Sequence, residues 1–284
     1  MKIPAQLVVC GMLVVTAGCS RTEPASAPVA TPTVTLSKDR AALGSPLTIT
    51  YKFDVAQNAS IDGDYVVFVH VLTSDGEKMW QDDHVPPTPT SRWKPGQTVE
   101  YTRTVFVENY PYIGEATIRL GLYNPAGKRL PLNGTEASHQ EYVVGKLNLV
   151  PEAENIFLLY KDGWHPAEVD ASNPLAEWQW TKKTASISFR NPKRDAVFYL
   201  EWDARTDLFT PPQQVIVKVA GQPVGTFAAD SKDRTLRTFP ITAAQLGSGD
   251  MAEVRLEVDR TFTGAAADPR ELGIRVYNAF VDPR

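Results

Sequence analysis

AEVRLEVD, residues 252–259, is the stretch that decides the fold. Val254, Leu256 and Val258 alternate there with Glu253, Arg255, Glu257 and Asp259. A period of two sends the apolar side chains to one face of an extended strand and the charges to the other, the pattern of an antiparallel strand with one dry face and one wet face. Residues 272–281 repeat it, with Ile274, Val276 and Phe280 facing away from Arg275 and Tyr277. Outward from these two stretches, period-two patterning fills the chain from Thr33 onward. No apolar stripe of helical spacing lasts longer than about one turn. The chain reads as all-β.

Strands are predicted in the first half at residues 33–37, 46–54, 65–72, 78–84, 98–108, 115–123 and 141–144. Ser74-Asp75-Gly76-Glu77 predicts a tight hairpin between two of them, and Asn124-Pro125-Ala126-Gly127 predicts a second turn. Seven short strands in about 115 residues predict an immunoglobulin-like sandwich over residues 34–147. Residues 145–151 then mark a boundary. The second half, 151–284, carries candidates at 156–160, 177–181, 184–190, 196–203, 214–220, 225–229, 235–239, 252–259 and 272–281. Eight or nine strands of this kind fit a jelly-roll-like β-sandwich.

The N-terminus carries a different signal. Residues 7–15 form a nine-residue apolar run behind Lys2, far short of the roughly 20 residues a spanning helix needs, so it reads as a cleaved signal peptide. Residues 15–19, Val-Thr-Ala-Gly-Cys, resemble the lipobox of bacterial lipoproteins in the small residues Ala17 and Gly18 before Cys19, while Thr16 stands where an aliphatic residue is usual. The resemblance implies removal of residues 1–18 and lipidation of Cys19 on its thiol and its new amine. Three chains at about 0.8 kcal/mol per buried methylene would fix the protein to a membrane. The alternative is an ordinary secretory signal cut at a nearby A-x-A-like site. Ser20, in place of an aspartate after the cysteine, implies by the same resemblance an outer-membrane address. Residues 20–33 are rich in Ser, Thr, Ala and Pro, with Pro24, Pro28 and Pro32, and too poor in large apolar side chains to pack. Residues 19–33 therefore read as a lipidated cysteine and a tether, reaching on the order of 40 Å at polyproline rise.

Composition excludes several functions. The chain has 29 basic and 33 acidic residues; loss of Lys2 with the signal leaves 28 and 33, a net charge of −5. A nucleic-acid surface, which needs a basic stripe, is not expected. Only Cys10 and Cys19 are present, so the mature chain has no pair for a disulfide and no cysteine set for zinc.

Two longer stretches resemble known modules. FVHVL, QDDHVPPTPTSRWKPGQ, EYTRTVFVE and IRLGLYNPAGKRLPL look like an immunoglobulin-like extracytoplasmic module of bacterial surface proteins. DGWHPAE, EWQWT, LEVDRTF and ELGIRVYNAFV are similar to a C-terminal β domain of bacterial proteins that handle surface polysaccharide, including membrane glycosyltransferases. What these resemblances imply is an accessory or binding role on the envelope, with polysaccharide or an envelope protein as partner. No functional residue is carried over with them.

Motifs for chemistry are sparse. The chain has no Gly-x-Ser-x-Gly elbow, no His-Glu-x-x-His and no Gly-x-Gly-x-x-Gly. Asn58, Ser60, Asp62 and Gly63 begin like a calcium loop, but Val69 stands where a bidentate glutamate is required. Asp82-Asp83-His84 is the densest polar cluster. A hairpin register set by Asp75-Gly76 puts His70 opposite Gln81 and Val67 opposite His84, which sends the two histidines to opposite faces of the sheet. Asp83 with His70 could make a metal or sugar site; a polar strand end bonding the following loop is the favoured reading.

Tryptophans are the remaining candidates, because β-sandwich sugar sites set aromatic rings against the apolar faces of pyranoses. Trp80 and Trp202 lie in strongly apolar strands and are expected in the core, Trp93 at the end of the first sandwich, and Trp178 with Trp180 inward from one strand face. Trp164, in the loop Asp162-Gly163-Trp164-His165-Pro166, is the stronger binding candidate, with His165 beside it; Tyr110 and Tyr112 come next. Asp203, Asp207, Asp268 and Glu271 are carboxylates expected to be solvated, and no catalytic residue is assigned. The expectation is a non-catalytic envelope lipoprotein that needs no cofactor or metal and presents a surface to glycan. A protein-interaction lipoprotein is the alternative, and a polysaccharide hydrolase the third reading.

Overall fold

The computed structural model describes residues 27–171, 177–264 and 268–284. Cys19, the lipobox and most of the tether lie outside the described residues. The first sandwich is built from β1 (Ala30–Leu36), β2 (Arg40–Ala42), β3 (Pro46–Val55), β4 (Val66–Leu72), β5 (Lys78–Gln81), β6 (Thr98–Phe106), β7 (Gly114–Tyr123), β8 (Arg129–Leu130), β9 (Thr135–Ser138) and β10 (Glu141–Val150). One sheet has the order β1-β3-β6. The other runs β2-β10-β7-β4-β5, with β8 on β7 and β9 on β10. Every pair is antiparallel except β2 with β10.

Alternation builds the core as the sequence predicts. Leu47, Ile49, Tyr51, Phe53 and Val55 of β3 point inward against Val67, Val69 and Val71 of β4 and Ile118, Leu120 and Leu122 of β7. Each such side chain contributes about 1.5–3 kcal/mol relative to exposure. Trp93 closes the end of this core and donates its indole N–H to the Thr88 carbonyl at 2.9 Å. Gly76 and Gly127 take positive φ in the two predicted turns, and Thr73 N–H bonds Glu77 O while Asn124 N–H bonds Lys128 O.

The second sandwich contains β11 (Leu158–Tyr160), β12 (Glu168–Val169), β13 (Glu177–Trp180), β14 (Thr184–Arg190), β15 (Ala196–Asp203), β16 (Gln213–Val219), β17 (Gln222–Ala229), β18 (Thr235–Ile241), the single turn α1 (Ala243–Leu246), β19 (Met251–Val258), β20 (Phe262–Thr263), β21 (Glu271–Leu272) and β22 (Arg275–Pro283). Two five-stranded antiparallel sheets, β11-β14-β19-β16-β17 and β12-β13-β22-β15-β18, face each other. Val254, Leu256 and Val258 are buried there with Ile187, Phe189, Val215 and Val217, against Phe198, Leu200, Trp202 and Ile274 from the other sheet. The molecule is all-β, an immunoglobulin-like sandwich followed by a jelly-roll-like one.

Three local expectations differ from the structure. The tether reading extends to Thr33, yet β1 begins at Ala30, because Ala30 and Val29 are buried and the strand pairs along its full length with β3. Residues 145–150 belong to β10 and not to a boundary. The register shifts between Val143 and Gly145, and beyond this bulge Leu147 and Leu149 resume the inward alternation. In β22 a second bulge, where Glu201 pairs with Asn278 but Trp202 with Val276, inserts one residue. It turns Ala279 and Val281 toward the core and Phe280 out of it, opposite to simple counting from Val276.

The connection between the sandwiches is short. Pro151 and the turn Glu152–Glu154 follow β10 directly. Asn155 then donates its side-chain N–H to the Leu43 carbonyl at 2.7 Å, and Arg40 meets Glu154 at 2.6 Å.

Candidate functional site

Between the sandwiches lies a cleft of about 850 Å³. One wall is the edge of the first sandwich: Trp80, Gln81 and Asp82 at the end of β5, and Arg103 through Val107 along β6. The opposite wall is the outer face of the sheet β12-β13-β22-β15-β18, which supplies Trp178, Glu201, Arg234, Leu236, Tyr277 and Asn278, with Tyr160 at its side.

The second wall is organised by Arg275. Its neighbours on β15 and β13 are Asp203 and Trp180, fixed by strand register. Asp203 is 3% exposed in its side chain; it accepts both ends of the Arg275 fork, Nε at 2.6 Å, and the Tyr277 hydroxyl at 2.7 Å. The guanidinium also lies 5.2 Å from the Trp178 ring centre and 5.5 Å from that of Trp180, within cation–π reach. Burial first, then the hydrogen bond to Asp203, pushes the Tyr277 hydroxyl up to about 12. Tyr277 remains a neutral donor. Nearby, Arg234 sits 4.6 Å over the Tyr277 ring and donates to Glu201 at 2.7 Å, while Asn278 donates to the same Glu201 oxygen at 2.5 Å. The Tyr277 ring is thus held through its hydroxyl by Asp203, and the two tryptophan rings lie against the Arg275 guanidinium.

On the first wall, Asp82 takes a two-point fork from Arg103, at 2.9 and 2.7 Å, and the Tyr51 hydroxyl at 3.1 Å. Burial pushes the Asp82 carboxyl up, but the hydrogen bonds from His84 and Arg103 outweigh it and hold the group well below the usual carboxylate range. His84 bonds the Asp82 carbonyl through Nδ1 at 2.8 Å and the Tyr101 hydroxyl through Nε2 at 2.7 Å.

The sequence-predicted residues are placed as follows. His70 pairs with Gln81 and Val67 with His84, the register read from the hairpin, and the two histidines stand on opposite faces: His70 bonds Glu141 at 3.2 Å while His84 packs on Tyr51 and Tyr101. Trp80 and Trp202 are buried in the two cores. Trp178 and Trp180 are outside the core cluster of their sandwich, on the face that carries Arg275, because Trp180 pairs with Arg275 while Gln179 takes the place opposite the core residue Val276. Trp164 donates its indole N–H to Ser186 O at 2.8 Å and packs against the core, since residues 161–165 are stitched along β14 by bonds between Lys161 and Ser186 and between Ser186 and Asp162. His165 is buried and bonds the Glu271 carbonyl at 2.7 Å. Tyr110 donates to Glu77 at 2.6 Å and Tyr112 to Glu115 O at 2.8 Å, both on the first sandwich. None of these four lines the cleft. Nor is Asp203 solvated: its partners are Arg275 and Tyr277. Asp207 pairs with Arg205, and Asp268 with Arg270.

Sequence reasoning missed Arg234, Glu201 and Asn278, and set Arg275 and Tyr277 aside as a wet strand face. The usable signal was the aromatic and charged alternation of EWQWT and IRVYN on strands of one sheet.

No protein-family model matches the chain, and no curated protein matches it. Among solved structures it is similar to the β-glucuronidase of Bacteroides uniformis, with 11% identity over 89% of this chain and 30% of that one at a TM-score of 0.31. It is similar also to the CBM51-2 and INT domains of Clostridium perfringens ZmpB in complex with GlcNAc, with 12% identity over 63% of this chain and 39% of that one at a TM-score of 0.26. The sporulation control protein Spo0M of Bacillus subtilis gives 12% identity, 57% and 79% coverage, and a TM-score of 0.28. The chain thus spans 30% and 39% of the lengths of the first two.

Proposed function

We propose that this protein is a non-catalytic cell-envelope lipoprotein, anchored through acylated Cys19 in the outer membrane, that binds glycan in the cleft between its sandwiches. The observation that carries the reading is the lining of that cleft, where Trp178, Tyr160 and Tyr277 stand among the fixed polar forks of Glu201, Asn278, Arg103 and Asp82. A pyranose offers an apolar C–H face and pairs of adjacent hydroxyls. Aromatic rings meet the first and preorganised carboxylates, amides and guanidinium groups meet the second. Two or three ring contacts at about 0.5–1.5 kcal/mol each, with a few hydrogen bonds, correspond to about millimolar affinity, which many copies on one surface raise by multivalency. Among the described residues no helix is long and apolar enough to cross a membrane.

The test is retention on envelope polysaccharide of Trp178→Ala and Tyr160→Ala variants beside the unaltered protein. Weakened retention with the unfolding midpoint held supports the reading; full retention in both refutes the site. Mass spectrometry of the membrane-extracted protein tests the anchor, and an unmodified Cys19 thiol refutes it.

One observation favours a second reading. β6 is an edge strand, pairing only with β3. Val107 N–H bonds Ser45 O and Val55 N–H bonds Gln97 O, so odd-numbered positions turn their backbone groups toward β3 and Thr104 and Phe106 turn theirs along the cleft wall. An extended segment of a partner protein could add there as a strand. Cross-linking to one protein, with no response to glycan, selects this reading over the first.

A further inference from the structure

We infer that the glycan taken by the cleft is an amine-bearing one, built from amino sugars whose nitrogens are protonated, and not a polyuronate or a phosphate-rich chain. The inference rests on the reading of the cleft as a glycan site and concerns which charge that site accepts. The charged residues lining it are Asp82, Glu108, Glu177 and Glu201 on the acidic side and Arg103 and Arg234 on the basic side. Both arginines are spent internally. Arg103 gives its Nε and one terminal nitrogen to Asp82, and Arg234 gives a terminal nitrogen to Glu201. Behind this wall Arg275 is matched by Asp203.

Two carboxylates remain, Glu108 from the first sandwich and Glu177 from the second. Both are exposed, and neither has a hydrogen-bond or ion-pair partner for its side chain among the described residues. The cleft thus carries a surplus of two negative charges inside walls that exclude part of the solvent, and the whole chain is net negative as well. A polyanion meets repulsion from the cleft and from the protein around it. An ammonium group has two unneutralised acceptors, one on each wall. A neutral sugar uses the rings and forks alone.

Three hexamers with the same β-1,4 backbone separate these cases: cellohexaose, the glucosamine hexamer and the glucuronate hexamer. Each is titrated into the protein by calorimetry at about pH 6, below the usual range of an amine. The glucosamine hexamer is expected to bind about tenfold tighter than cellohexaose at low salt, the glucuronate hexamer least, and the advantage to shrink as salt screens it. In the Glu108→Gln/Glu177→Gln double variant the glucosamine and neutral hexamers are expected to bind within twofold of each other. Both positions are exposed, so the unfolding midpoint serves as the check on folding. Equal binding of the glucosamine and neutral hexamers by the unaltered protein overturns this inference and leaves the glycan reading standing. Binding of none of the three removes both.

Discussion

Replacing Asp203 with asparagine is expected to destabilise the second sandwich. The carboxylate is 3% exposed and satisfies Arg275 at two points and Tyr277 at one. Removing its charge leaves the Arg275 guanidinium, 28% exposed, without a counterion between two tryptophans. Breaking a buried pair by deleting one partner costs about 3–5 kcal/mol. Because Arg275 retains some water and its ring contacts, the lower end, about 3 kcal/mol, is expected. For a sandwich of this size that is a fall of roughly 10 °C in midpoint. Chemical denaturation followed by circular dichroism gives the free energy, and alkaline titration of tyrosine absorbance gives a second readout. Tyr277, which loses its charged acceptor, should ionise at lower pH, although burial continues to hold it above the ordinary value. A loss below about 1 kcal/mol with the tyrosine titration unchanged would refute the claim that Asp203 organises this wall.

Other expectations follow from single residues. Trp164→Ala should cost about 2–3 kcal/mol, less than a fully buried tryptophan, and leave glycan retention intact once the protein is folded; the check is denaturation beside a binding assay. Gly163→Ala should prevent the second sandwich from folding: its φ is +85° and an added Cβ would lie 1.7 Å from the Thr184 carbonyl, so soluble yield and circular dichroism should collapse together. Acid should act on the first sandwich through Asp82, whose folded value is depressed. Its contribution is complete above the unfolded carboxylate value near pH 4 and is lost as pH falls through the folded value. Unfolding free energy measured between about pH 5 and pH 2 should therefore fall less steeply in Asp82→Asn than in the unaltered chain.

The fold was legible because strands with one dry face carry their orientation in a period of two, and Val254, Leu256 and Val258 obey it without exception. It failed at Gly145 and at the bulge beside Tyr277, where one inserted residue reverses the parity of everything after it. Phe280 was assigned to the wrong face for that reason alone. The pairs His70 with Gln81 and Val67 with His84 match the register read from Gly76, but the turn closes at Thr73 and Glu77 around three residues, and a register shift between Val71 and Leu72 restores the pairing beyond it. The cleft was not legible, since its walls come from residues 44–109 and 160–278, at least 51 residues apart in sequence, and meet through a linker whose geometry no local pattern encodes. Loop position misdirected the choice of Trp164: its loop lies along the edge of β14 and uses the indole as a structural donor.

The central claim is that sugar is held against the aromatic wall of the cleft. Nitrogen-15 spectra of the six tryptophan indoles during titration with cellohexaose and the glucosamine hexamer test it most directly. The Trp178 indole resonance is expected to shift with ligand while those of Trp164 and Trp202 stay fixed. Movement of Trp164 with Trp178 unmoved, or no movement in any indole at millimolar ligand, would contradict it.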